Sequence, residues 1–168
     1  MKATVMVGIP GCGKTTAVAA HGDVVEVNRD NLRFELTGSF TNFEHEGLIN
    51  RRHAARLRQA AAEGRDVVVS DTNAVRRYRR SLIKLLKCLG YEVEVVVFDV
   101  GPETCLARNE TRSKPVLPEI IRRMAHRLRL NPPSLEEGMD RLRFIRQEGA
   151  APLYLEAPAE IAGAVPGE

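Results

Sequence analysis

The stretch Gly8-Ile9-Pro10-Gly11-Cys12-Gly13-Lys14-Thr15 follows a short apolar run, 3–7, and places glycines ahead of a Lys-Thr pair. A strand that enters such a turn and leaves it as a helix is the sequence form of a phosphate-binding loop. Glycines let backbone N–H groups turn inward around a phosphate, the following helix points its positive end at it, and Lys14 adds a full charge. Gly8, Gly11, Cys12, Gly13, Lys14, Thr15 and Thr16 are therefore the candidate nucleotide site, with the Thr15 hydroxyl a candidate ligand for Mg²⁺. The loop points to a chain that handles a nucleoside triphosphate, and leaves the phosphate acceptor open.

Outward from the loop, Val-rich runs at 4–7, 24–28, 67–70 and 93–98 read as strands, each followed by turn or helix-start chemistry. Between them, 74–89 reads as a helix, because Val75, Tyr78, Leu82, Leu85, Leu86 and Leu89 recur at helical spacing. Arg76, Arg77, Arg79 and Arg80 are expected mostly on its outer face, and Gly90 stops it. A long Ala- and Arg-rich helix is expected over 44–63, another from Pro102, and an acidic one over 135–148. Residues 153–155 can add a last strand, and the Ala/Pro/Gly-rich end, 157–168, reads as a loose tail. Alternating strands and helices predict an α/β fold, with a parallel sheet of four or five strands and helices on both faces. Right-handed crossovers then bring the phosphate loop, Asp30, Asp71 and Asp99 to one edge of that sheet.

With 168 residues and 43% hydrophobic content, the chain suits one domain, expected over 1–156, which must hold donor and acceptor together. Three cysteines without paired spacing, and a strand starting close to Met1, argue for a reducing cytoplasm over secretion. No apolar run approaches the ~18 residues of a membrane helix, so no membrane partner is expected. The net charge of +3 is unevenly spread. Residues 51–87 hold 11 Lys or Arg against 3 acids, and 108–130 hold 7 against 2, whereas 131–168 hold 3 against 7. Such stripes attract a polyanion, although solvated helix faces produce the same pattern.

The second strand runs into Asn28-Arg29-Asp30-Asn31-Leu32-Arg33. Beside the loop, Asp30 can accept a proton from an attacking hydroxyl, and Arg33, one turn on, can anchor an anion in the same cleft. A helix-start acid with its surface partner would look the same. The third strand ends in Ser70-Asp71-Thr72-Asn73, where an acid can organise a metal-bound water or orient Lys14 and Thr15.

Taken in order, 28–33, 70–73, Val97-Phe98-Asp99-Val100 and Arg108-Asn109-Glu110-Thr111-Arg112 resemble the motifs of the kinase domain of bacteriophage polynucleotide 5′-hydroxyl kinase. The resemblance covers about 1–130 and implies a P-loop kinase fold with a helical lid. It also implies ATP as donor, Mg²⁺ as cofactor, and the 5′-OH ends of DNA or RNA as acceptor. Under it Asp30 is the general base, Arg33 holds the neighbouring phosphate of the strand, Asp71 is the essential acid near the lysine and metal, and Thr72 touches the acceptor. Arg112 is similar to the lid arginine that clamps the donor phosphates, with Arg108 also near the nucleotide. Arginine suits this work because it spreads charge over a transferring phosphoryl group and is never deprotonated.

This chain departs from the family pattern in two places. A Val-Pro that helps stack the first acceptor base is here Lys114-Pro115-Val116-Leu117-Pro118, which makes Val116 the candidate contact. No Asp-x-Asp phosphatase motif is present, so 3′-end phosphatase or ligase chemistry would come from separate proteins. His21, His45, His53 and His126 lack metal-ligand spacing and are expected on surfaces or helices, while Cys88 and Cys105 are expected to pack as small apolar residues. Cys12 fills a small-residue slot beside a helix start and Lys14, conditions that favour a thiolate. Two other readings stay open: a kinase for a sugar, nucleoside or antibiotic, and a module that binds nucleotide without transfer.

Overall fold

Runs of valine set the sheet in this computed structural model, which describes residues 1–146 and 153–156; the expected tail lies outside them. β1 (Lys2–Val7), β2 (Val25–Val27), β3 (Val67–Val69), β4 (Glu92–Asp99) and β5 (Arg141–Arg146) run parallel in the order β2-β3-β1-β4-β5. β6 (Leu153–Glu156) adds an antiparallel strand beside β5. Val5 of the central strand pairs with Val69 on one side and Val95 on the other, so β-branched residues stack across the middle of the sheet.

Side chains alternate between faces along each strand, and both faces are covered. On one, Val5, Val7, Val69 and Val95 pack with Leu57 of α3 (Glu46–Ala62) and with Leu82, Ile83 and Leu86 of α4 (Arg76–Cys88). On the other, Met6, Val68, Val96 and Phe98 meet Cys105 of α5 (Pro102–Glu110) and Ile121 of α6 (Pro118–Leu130). Half-buried Ala17 and Val18 of α1 (Lys14–Ala19) join them. α2 (Arg29–Thr37) packs on α3. Among the described residues no helix is long and apolar enough to cross a membrane.

Of the acidic helix expected over 135–148, residues 135–146 are described, and they do not form it. A short 3₁₀ turn, Leu135–Glu137, ends at Gly138, whose φ of 95° cannot continue a helix, and β5 follows. The alternation Arg141-Leu142-Arg143-Phe144 is a strand signal that the surrounding charges masked. On the neighbouring strand Glu92 pairs with Arg141, and Glu94 lies 3.3 Å from Arg143 Nε. Arg79, expected to face outward, is fully buried. It donates to Glu137 through Nε (2.6 Å) and NH2 (2.5 Å), and also to the carbonyls of Asn73 (2.8 Å) and Asn131 (3.0 Å). Cys88, expected to be packed, is exposed.

Candidate active site

The phosphate loop leaves β1 through a turn that only glycine permits. A Cβ on Gly8 would sit 2.5 Å from Cys12 Sγ, and one on Gly11, whose φ is 87°, would sit 2.5 Å from the Cys105 carbonyl oxygen. Gly13 (φ 104°) then caps α1. Lys14 Nζ donates to the carbonyls of Gly8 (2.6 Å) and Ile9 (3.1 Å), which lays its ammonium across the loop. Burial lowers its pKa, partly offset by Cys12, whose sulfur lies 3.5 Å away. Cys12 itself is buried against Met6, Phe98 and Cys105, in keeping with the small-residue slot expected of it. Thr15 and Thr16 are exposed on the first turn of α1.

β3 stops pairing with β1 at Val69, and the run 70–73 is tied across the end of β1 instead. Asn73, left-handed at φ 45°, donates from Nδ2 to the Met6 carbonyl (2.8 Å), and the Gly8 amide donates to the Thr72 carbonyl (3.1 Å). This lashing sets Asp71 and Thr72 directly beside the phosphate loop. Asp71 Oδ1 accepts from the Arg29 amide (2.8 Å), and Oδ2 accepts from the Arg29 guanidinium (2.9 Å) with His53 Nε2 3.2 Å away. Burial alone would raise the Asp71 carboxyl, but the His53 ring and the Arg29 charge hold it below its ordinary value.

Asn28 ends β2 and caps α2, its Oδ1 accepting from the amides of Asp30 (2.8 Å) and Asn31 (3.2 Å). That cap fixes the Asp30 side chain at the helix start, where it is 69% exposed. Arg33 NH1 reaches back to Asp30 Oδ1 (2.6 Å) and to the Phe40 carbonyl (3.2 Å), while its Nε and NH2 hold Glu46 Oε1 at 2.9 and 2.7 Å. The guanidinium is thus shared between Asp30 and Glu46, with most of its donors engaged.

Arg108 and Arg112 are exposed at the end of α5. Beyond them the Asn109 side chain clamps the connection to α6, donating to the Val116 carbonyl (2.7 Å) and accepting from its amide (2.9 Å). Val116 is half-buried and packs against the Cys105–Ile121 cluster. Lys14, Thr15, Asp30, Arg33, Asp71, Thr72, Arg108, Arg112 and Val116 all line one cleft of about 1830 Å³. His53 and Arg29 line it too; His53, expected on a surface or a helix, lies on α3 and is buried. The signal lay in spacing, because His53 shares with Ile49, Leu57 and Ala60 the buried stripe of α3. The described residues contain no group of three or more side chains suited to hold a metal.

The AAA_33 family, an AAA domain, matches residues 4–130, a span that includes the phosphate loop, Asp30, Asp71 and Arg112. The chain belongs to this P-loop AAA family. Over 135 residues the AAA domain is 31% identical to a protein of Autographa californica nuclear polyhedrosis virus named as a bifunctional polynucleotide kinase/RNA ligase. That match takes in 71% of this chain but 20% of the viral protein, so the chain spans about a fifth of the relative's length. The AAA domain also resembles a chain of the Pnkp1/Rnl/Hen1 RNA repair complex, with a TM-score of 0.69 and 21% identity over 77% of this chain and 44% of that one. A gluconokinase from Sinorhizobium meliloti shares the fold at a TM-score of 0.55 and 18% identity, over 96% of this chain and 87% of the enzyme. The α/β fold is the one that P-loop kinases share, and the phosphate loop within the family match marks a nucleotide-binding domain.

Proposed function

We propose that this domain, over 1–156, is a polynucleotide 5′-hydroxyl kinase that moves the γ-phosphate of ATP to the 5′-OH end of DNA or RNA. One observation carries the reading: the Asp30 carboxylate stands exposed, steered by Arg33, in the same cleft as the phosphate loop. A module that only bound nucleotide would need no such base. The viral relative named as a polynucleotide kinase/RNA ligase supports the choice of acceptor.

In the proposed reaction the loop amides and Lys14 hold the donor phosphates. The acceptor oxygen forms a bond to the γ-phosphorus as the bond to the bridging oxygen of ADP breaks, and the hydroxyl proton passes to Asp30. Arg112, with Arg108 behind it, steadies the charge that spreads over the transferring group. Thr72 touches the acceptor, and Arg33 orients Asp30 and carries positive charge toward the adjoining phosphate of the strand. Mg²⁺ neutralises phosphate charge when bound, and Thr15 and Asp71 fit it as partial ligands. The Thr15 hydroxyl is exposed at the loop, whereas both Asp71 oxygens are already held by Arg29 and His53 and would reach a metal through water.

The test is incubation with labelled ATP and Mg²⁺ and either a 5′-OH oligonucleotide or a panel of small alcohols that includes gluconate, since a gluconokinase shares the fold. Label is expected on the oligonucleotide; label on small alcohols alone overturns the reading. An Asp30→Asn variant should keep ATP affinity and lose transfer by about 10²- to 10⁴-fold, the usual cost of a missing general base.

A further inference from the structure

The chain has five phenylalanines and no tryptophan, and three of the five fall within ten residues, at 34, 40 and 43. Phe98 is buried and Phe144 half-buried, but Phe34 is 47% and Phe43 63% exposed. Phe34 and Phe40 stack with ring centres 4.5 Å apart. The Arg33 guanidinium lies over the Phe43 ring, 4.6 Å from its centre. From the connection after α5, Lys114 Nζ reaches to 3.7 Å from the Phe40 ring centre and 5.5 Å from that of Phe34. Phe34 follows Asp30 by four residues on α2, so the two share a helix face with their Cβ atoms about 5–6 Å apart. Phe40, Phe43, Arg33 and Lys114 line the same cleft as the phosphate loop.

We propose that Phe34, Phe40 and Phe43, with Lys114 above them, form a stacking platform for the unpaired bases at the 5′ end of the acceptor strand. The inference rests on the polynucleotide kinase reading and adds how the end is gripped. Exposed aromatic rings cost solvation unless a flat partner covers them, and every nucleobase has a π-face that stacks on such rings with little regard to sequence. The surrounding charge selects the same partner, because Lys114 and Arg112, both exposed and both lining this cleft, suit a phosphate backbone. The platform is also continuous with Asp30, so a base seated on it belongs to the nucleotide whose hydroxyl that acid would deprotonate, or to the next one. A sugar or other small alcohol has neither the π-face nor the chain of phosphates to use these groups.

The experiment compares KM for a single-stranded 5′-OH oligonucleotide with KM for the same strand made abasic at its first two positions, in the wild type and in Phe34→Ala, Phe40→Ala and Phe43→Ala. ATP affinity, measured without acceptor, reports folding. The abasic strand should raise the wild-type KM by about 5- to 100-fold, and the alanine variants should do likewise on the normal strand while adding little on the abasic one. Equal KM values for the two strands in an active wild type overturn the platform and leave the kinase reading standing; transfer to no oligonucleotide at all overturns both. Sedimentation of the same variants covers the other occupant: loss of a dimer with oligonucleotide KM unchanged assigns the rings to a second copy of the chain and overturns the inference.

Discussion

Cys12 in the phosphate loop and Cys105 beside it are both buried, and the Cys105 backbone is the wall against which Gly11 turns. Burial pushes the Cys105 thiol from its ordinary 9.0 up to about 11, with a further push from Cys12. Between those values the unfolded chain releases the proton while the folded chain keeps it, so stability must fall as pH rises from 9 toward 11. Chemical unfolding at a series of pH values should show up to about a tenfold drop in the folding constant per pH unit in that window. Cys105→Ala should flatten that part of the profile. A wild-type profile as flat as the variant's would remove Cys105 from this role.

At the scale of elements, the buried pair of Arg79 and Glu137 joins α4 to the turn before β5 and also holds the Asn73 carbonyl, which belongs to the run that carries Asp71. Removing one partner strands a charge in the core, so Arg79→Met should cost about 3–5 kcal/mol in urea unfolding. Pairing it with Glu137→Leu should restore part of that stability, since no charge then stays in the core, although half-exposed Arg76, 3.7 Å from Glu137, loses its carboxylate partner. Transfer activity should stay reduced in the double variant, because the Asn73 carbonyl has still lost its donor. Recovery of full activity would show that the tie matters for folding alone. This pair also marks where sequence reading stopped. The strand–loop–helix at Gly8, the valine strands and the positions of Asp30 and Asp71 were legible because their signals are local. Arg79 was not, because its partner lies 58 residues away and its burial is decided by that partner. β5 was hidden by the same logic: Arg141 and Arg143 look helical until Glu92 and Glu94 stand opposite. His53 fell between, legible as a stripe position on α3 but not as the neighbour of Asp71.

Across the whole molecule, charge follows the helices. Arg51, Arg52 and Arg58 on α3, Arg77, Arg80 and Lys84 on α4, and Arg122, Arg123, Arg127 and Arg129 on α6 are exposed, whereas Arg56 is paired with Glu35. If these faces guide a strand toward Asp30, KM for a long oligonucleotide should rise with salt, with each phosphate contact adding about 0.7 to the log–log slope. A slope indistinguishable from zero would return the basic faces to a purely solvating role.

The sheet order separates the two halves of the site. The donor loop springs from β1, in the middle of the sheet and paired on both sides, whereas Asp30, Arg33, the phenylalanines and His53 all hang from β2, a three-residue strand at its edge, through the helix pair α2 and α3. In evolutionary and engineering terms, 29–62 form a cassette. In the proposed kinase this cassette carries the acceptor preference, which exchanges of surface residues at the margin of the sheet would rewrite, and Arg29 and His53 are the two attachments to Asp71 that any replacement must rebuild.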